Sequence, residues 1–277
     1  MSVHIKYKGR IGNHFFQYAY ARLLAERNNM KLTSDWEYKK LIRATKPMPG
    51  RVFKEPSIYI KDTLPFDQEY VENYKLDKLL DTPLDNARYV IAGYFENSEI
   101  MNNNEEKIKR FFKLPKIQKS NPKDILINVR IGNDFAEIGQ IIHPDYYLNI
   151  LNNEQFEKVY IVGLNKEEKY LDFFKGINYQ MLPSSPINDF YYFQKFDKIV
   201  CSNSTFSWWA AFFSDANTIY FPTTITSPFL KSCKDSIVVE TSCLENYESN
   251  TVYNIKPLQK KKYVEVFKKR IKNIIGR

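Results

Sequence analysis

IVCSNSTFSWWAAFF, running from Ile199 to Phe213, changes character twice along its length. Three apolar residues and Cys201 read as a short buried strand. Ser202, Asn203, Ser204 and Thr205 follow as a burst of hydroxyl and amide groups. Phe206, Trp208, Trp209, Ala210, Ala211, Phe212 and Phe213 then make a densely apolar helix. A strand ending in small polar residues that open a helix leaves backbone N–H groups without intrahelical partners, with the positive end of the helix dipole behind them. α/β proteins seat anions in this way, at the carboxyl end of a strand. The plainer reading is an ordinary N-cap, Ser202 or Asn203, on a core helix. Two tryptophans directly after the cap, and two further stretches of similar logic, favour the anion seat.

The first of these opens the chain. Val3 to Tyr7 alternates as a strand does, then runs into Lys8-Gly9-Arg10-Ile11-Gly12-Asn13 and a helix with Phe15, Phe16, Ala19, Leu23 and Leu24 on one face. Two glycines at a strand-to-helix turn let backbone come close to a ligand, and Arg10 and Asn13 place donors there. The second is Asp124 to Val129, a strand leading into Arg130-Ile131-Gly132-Asn133-Asp134. An arginine at that point can grip a diphosphate through two parallel hydrogen bonds. The structural alternative is a salt bridge between Arg130 and Asp134.

Between them, Lys31 to Thr33 reads as a strand, Asp35 to Pro56 as mostly loop, Arg88 to Phe95 as a buried strand and Glu99 to Phe112 as a helix. Leu114 to Pro122 carries two prolines and no period, as a linker does. After it strands and helices alternate again. Pro144 opens a helix, Lys158 to Leu164 is a strand, and Glu167 to Phe174 and Ile187 to Phe196 are helices. Lys198 to Ser202, Thr218 to Phe221 and Ser236 to Val239 complete the strands. This alternation predicts two stacked parallel-sheet domains, 1–116 and 117–255, with a basic C-terminal helix over 256–277.

The net charge is +9 over 277 residues, and it is local. Lys256 to Arg277 holds nine Lys/Arg against Glu265 alone, so the rest of the chain is nearly neutral and a nucleic-acid surface is not implied. Tyr263, Phe267, Ile271 and Ile274 fall at helical spacing in that tail. Packing against the first domain and peripheral contact with an anionic inner membrane surface both fit it. Cys201, Cys233 and Cys243 form no C-x-x-C, and the first residues carry no apolar signal region; reduced thiols in the cytoplasm are the expectation. His4, His14 and His143 lie in no cluster and no D-x-D occurs, so no metal site and no cofactor are expected.

Together these residues resemble glycosyltransferase family 11, the inverting α-1,2-fucosyltransferases. The family's G-G-L-G-N-Q-x-F-Q-Y is similar to Gly9 to Tyr18, and its G-Y-F-Q-S resembles Gly93-Tyr94-Phe95-Glu96-Asn97-Ser98. Its S-T-F-S-W-W stands unaltered as Ser204 to Trp209. Its H-x-R-R-G-D is matched in part by Asn128 to Asp134: Asn128 replaces the histidine, Ile131 the second arginine and Asn133 the aspartate, unless Asp134 takes the aspartate's role. His14 replaces a glutamine. The resemblance implies a GT-B fold, two Rossmann-like domains facing across a cleft, and transfer of L-fucose from GDP-fucose to a hydroxyl of an acceptor glycan without metal. It places Arg130 on the β-phosphate, Asn128 near the base, Asp189 on the guanine edge, and Ser202, Asn203, Ser204, Thr205 and Phe206 along the diphosphate and sugar. Gly12 and Asn13 approach from the first domain, the acceptor side, and the acceptor is a glycan, lipid-linked in one reading. A base among Asp134, Glu137 and His143, with Asp134 favoured, and a mechanism without a strong base both remain open. So do another nucleotide-sugar donor and a non-catalytic binding protein.

Overall fold

The computed structural model describes residues 1–43, 57–61, 76–85, 87–166, 168–223, 232–233, 236–244 and 247. The expected basic helix over 256–277 lies outside them. The chain divides into two compact units, and the first boundary falls between Lys116 and Ile117, inside the proline-bearing linker.

Unit one carries a four-stranded, fully parallel sheet. Its strands are β1 (Ser2–Ile5), β2 (Lys31–Thr33), β3 (Ser57–Ile60) and β4 (Arg88–Ile91), in the order β2-β1-β4-β3. The helices are α1 (Ile11–Arg27), α2 (Leu76–Asp81), α3 (Ser98–Asn102) and α4 (Glu105–Lys109). α1 was expected to bury one face; instead every residue from Phe15 to Ala25 is buried. Its far side lies under an aromatic cluster, in which Trp36 stacks on Tyr18 at 5.6 Å and meets Phe15 edge-on at 5.2 Å, with Phe112 behind. The buried Arg22 is satisfied there, donating to Tyr18 Oη and to the carbonyls of Arg43 and Phe111. The helix expected over Glu99–Phe112 is two short ones, interrupted at Asn103 and Asn104. Asn side chains compete for backbone hydrogen bonds, and Asn104 Nδ2 indeed donates to the Ile100 carbonyl. β4 stops at Ile91, short of the expected Phe95, whose φ of +56° no strand can hold.

Unit two carries a six-stranded, fully parallel sheet in the order β11-β10-β9-β5-β7-β8. The strands are β5 (Ile125–Asn128), β7 (Val159–Val162), β8 (Tyr179–Met181), β9 (Lys198–Val200), β10 (Thr218–Pro222) and β11 (Ile237–Val239); β6 (Ile141–Ile142) pairs antiparallel with β12 (Cys243–Leu244). The helices are α5 (Asn133–Ala136), α6 (Asp145–Asn153), α7 (Pro186–Phe193) and α8 (Thr205–Phe213), and Lys169–Phe174 forms a 3-10 helix where an α-helix was expected. β5, at the centre, is buried on both faces, as a covered parallel strand must be. α8 is buried from Ser207 to Phe213, with Trp208 stacked on Phe212 at 5.0 Å and Trp209 on Phe213 at 5.3 Å, one turn apart. Among the described residues no helix is long and apolar enough to cross a membrane.

In unit two the connections from the adjacent strands β5 and β9 leave in opposite directions, to β7 on one side and to β10 on the other. The crevice outside such a switch point is where open parallel sheets bind ligands. In unit two it is kept by Gly163, whose φ is +91° and whose missing Cβ would lie 2.3 Å from the Val129 carbonyl oxygen. Gly163→Ala must therefore move the backbone one residue before Arg130. A loss of ~2–4 kcal/mol in stability is expected, read as a fall in Tm, together with weaker binding at the crevice. A variant as stable as the parent protein would show that this approach is not a constraint.

Candidate active site

The β5/β9 crevice gathers most of the residues singled out by sequence. β5 ends at Asn128 and β9 is followed by Cys201 and Ser202, so both loops leave from neighbouring strand ends. The N-cap of α8 is Ser204, not Ser202 or Asn203: its Oγ accepts from the Ser207 N–H at 3.1 Å. Ser202 is engaged differently. Its hydroxyl donates to Asn128 Oδ1 at 2.8 Å and lies 2.8 Å from Ser207 Oγ, and Ser207 Oγ also donates to Asn128 Oδ1. Asn128, 4% exposed, thus fastens the start of α8 to the end of β5.

α6 holds both strand ends from below. Tyr147 Oη donates to the Asn128 carbonyl at 3.1 Å and Tyr146 Oη to the Cys201 carbonyl at 3.0 Å. Burial raises both phenols well above their ordinary range, so each remains a donor. Asn203 is buried and its Nδ2 donates to the Gln140 carbonyl at 2.9 Å, tying the polar loop to the segment before β6. Thr205 and Phe206 are half-buried at the first turn of α8.

Arg130 stands on the loop leaving β5. Its Nη2 donates to Asp134 Oδ2 at 2.7 Å, and its guanidinium lies over the Phe135 ring at 4.9 Å. The salt bridge weighed as the structural alternative is therefore present, and it fixes the plane of the guanidinium. Ile131, where the resemblance has a second arginine, is fully buried and belongs to the core. Asp189 lies in the first turn of α7, buried, accepting from Ser184 Oγ at 2.8 Å and the Ser185 N–H at 3.2 Å. Burial pushes its carboxyl up to about 6, against the pull of those two donors.

Gly12 and Asn13 belong to unit one, in the first turn of α1, where Asn13 Nδ2 donates to Glu96 Oε1 on the segment after β4. His14, where the resemblance has glutamine, accepts from Trp36 Nε1 through Nδ1 at 3.1 Å, and burial lowers it to about 4. It is neutral at physiological pH and structural. Sequence reasoning gave no role to Tyr146, Tyr147, Ser207, Gly163 or Glu96. Ser207 sat inside the Ser204–Trp209 hexapeptide, whereas the tyrosine pair carried no signal beyond an apolar helix. Among the described residues, no cluster of His, Cys, Asp and Glu is arranged to hold a metal ion.

Comparison with known proteins adds three findings. A family model described as Glycosyl transferase family 11 matches residues 157–241, under a third of the chain. No protein of curated function matches. Among solved structures, NodZ, an alpha-1,6-fucosyltransferase soaked with GDP-fucose, is similar with a TM-score of 0.50 and 15% identity over 77% of this chain and 92% of that one. A mutant of Arabidopsis thaliana FUT1 in complex with GDP has a TM-score of 0.47 and 11% identity over 79% of this chain and 69% of that one. The likeness to NodZ shows the fold: the two parallel-sheet units are those of the GT-B class.

The raised carboxyl of Asp189 has a measurable sign. The folded protein holds that proton more tightly than the unfolded chain, so the group adds stability below about pH 4 and withdraws it as pH rises through about 6. Asp189→Asn is expected to raise Tm by several degrees at pH 8, from removal of ~2 kcal/mol of buried charge, and to leave Tm nearly unchanged at pH 4. Thermal melts at the two pH values check it; equal shifts at both would assign the effect to packing.

Proposed function

We propose that this chain is an inverting, metal-independent glycosyltransferase that moves L-fucose from GDP-fucose to a galactose hydroxyl of an acceptor glycan, forming an α-1,2 linkage. The observation that carries the reading is the position of Arg130, on the loop leaving β5, at the switch point where the N-terminus of α8 also lies. The family 11 match over 157–241 supports the reaction class, and the bound sugar nucleotide named for NodZ supports the donor.

Inversion requires one displacement at the anomeric carbon. The acceptor hydroxyl oxygen bonds to C1 as the C1–O bond to the β-phosphate breaks, GDP leaves with the electron pair, and the hydroxyl proton passes to solvent or to the departing phosphate. Negative charge grows on the β-phosphate, and there a guanidinium and helix-terminal N–H groups stabilise the transition state more than the ground state. Arg130 presents the guanidinium, held flat by Asp134 and Phe135; the N–H groups are those at the start of α8, which Asn128 and Ser202 fix to β5. Thr205 and Phe206 line the sugar. Asp134 enters as the group that orients Arg130, since to act as a base it must first leave that pair. Asp189 accepts from the guanine N1–H and amino group. That role needs the ionised carboxylate, so GDP affinity falls as pH drops below about 6. The fully buried Ile131 favours one second reading, transfer from another nucleotide sugar, because one arginine replaces two at the diphosphate.

The test is transfer from GDP-fucose to lactose in EDTA, with the product linkage read by NMR. Fucosylation without added metal is expected, on the galactose 2-hydroxyl. Arg130→Lys should lower turnover by roughly two to three decades, because an ammonium cannot keep two parallel hydrogen bonds to a diphosphate. Retention of half the activity by the lysine variant, or strict dependence on a divalent ion, would contradict the proposal.

A further inference from the structure

Three serine hydroxyls settle which way the Asn128 carboxamide is turned. Ser207 Oγ accepts from the Ser202 N–H at 3.3 Å and from the Ser204 hydroxyl at 3.3 Å. A hydroxyl has two lone pairs and one proton, so both lone pairs of Ser207 are filled and its proton must leave. It goes to Asn128, and the atom that takes it is therefore the amide oxygen; Ser202 Oγ gives its proton to the same Oδ1 at 2.8 Å. Nδ2, with its two N–H donors, is the other edge, turned from the β9 side of β5 to the β7 side. There it lies beside Gly163, the first residue after β7, on which a Cβ would be 3.2 Å from Nδ2. Any other residue at that position would stand over this edge. Among the described residues no atom accepts from Nδ2, although Asn128 is only 4% exposed.

Buried amide donors are nearly always paired, so donors without an acceptor at a strand end call for one from outside the chain. Position says which kind. The strands run β9-β5-β7-β8, the N-terminus of α8 opens after β9, and Asp189 lies on α7, after β8. A nucleotide with its β-phosphate at Arg130 and α8 and its base at Asp189 crosses the ends of β5 and β7, over Asn128 and Gly163. The group that joins the β-phosphate to the nucleoside is the α-phosphate. A charged oxygen is the strongest partner for an N–H donor, and the two hydroxyl bonds on Oδ1 polarise the amide further toward donation. We propose that Asn128 Nδ2 is a ligand-binding donor that takes a nonbridging oxygen of the α-phosphate of a bound nucleoside diphosphate. The inference rests on the donor-site reading for the course of the nucleotide, and it gives the side chain a second role beside that of holding α8.

Calorimetric binding of GDP by the wild type and by Asn128→Asp tests it. The aspartate keeps Oδ1 and both serine bonds but puts a charged oxygen where the two N–H donors stood. At pH 8 GDP affinity should fall about tenfold or more, in a variant that thermal melts show to be folded. Guanosine, which has no phosphate, should bind the two proteins alike. A second measurement needs no variant: in NMR spectra of the wild type, the side-chain amide protons of Asn128 should move downfield with GDP and stay in place with guanosine. Undiminished GDP affinity in the aspartate variant, or amide signals that GDP leaves unmoved, would overturn the proposal while the donor-site reading stands. An equal loss for guanosine would overturn it too, by placing Nδ2 on the ribose or the base. UDP and ADP run alongside. Binding of either that is weakened by Asn128→Asp, with no GDP binding, would keep Nδ2 on a phosphate and defeat the guanine donor alone. A wild type that binds none of the three defeats both.

Discussion

One carboxamide oxygen holds the second unit's crevice together. Asn128 Oδ1 accepts from the hydroxyls of Ser202 and Ser207, which come from the loop and the first turns of the helix after the neighbouring strand. All three side chains are buried, so each hydroxyl and the carbonyl would carry a desolvation cost of roughly 1–3 kcal/mol if its partner were removed. The pairing therefore sets the distance between two loops that the sheet hydrogen bonds alone would leave adjustable: the Arg130 loop on one side, the α8 N-terminus on the other. Tyr146 and Tyr147 repeat the constraint from beneath by binding one carbonyl from each strand end, and Gly163 makes room for it.

That arrangement changes the meaning of several polar residues. Asn128 and Ser202 read naturally as ligand contacts, yet their side-chain oxygens are spent on one another. In the proposed donor site the work of those oxygens is to position, and the ligand-facing chemistry is assigned to Arg130, to the backbone N–H groups at the start of α8 and to Asp189. Burial is the common instrument. It keeps two tyrosines protonated, lifts the Asp189 carboxyl toward neutrality and drives His14 to its neutral form, each without a nearby metal or compensating ion pair among the described residues.

Much of this was legible in the amino-acid sequence, and the rest was hidden for identifiable reasons. β5, β9 and α8 announced themselves because a central parallel strand is apolar on both faces and because Ser204-Thr205-Phe206-Ser207-Trp208-Trp209 joins a cap to a core helix. β3 was invisible: Ser57–Ile60 is short and follows a stretch with prolines, so no period could form. The single helix expected over Glu99–Phe112 ignored what consecutive asparagines do to a backbone. α1 was read as one-sided because periodicity sees only the sheet face and cannot see the Trp36 cluster that covers the other. At the site, Arg130 could be found from its strand end, but the close approach at Gly163 and the left-handed turn at Phe95 are tertiary facts that no local pattern encodes.

The most direct measurement is a crystal structure of the protein with GDP bound in the presence of EDTA. The diphosphate is expected against the Arg130 guanidinium and the backbone N–H groups at the start of α8, with the guanine on Asp189 and the Asn128–Ser202–Ser207 bonds unchanged. GDP seated elsewhere, on the Gly9–Asn13 loop of unit one for example, or Arg130 still turned away from the phosphates toward Asp134 alone, would contradict the assignment of the β5/β9 crevice as the donor site.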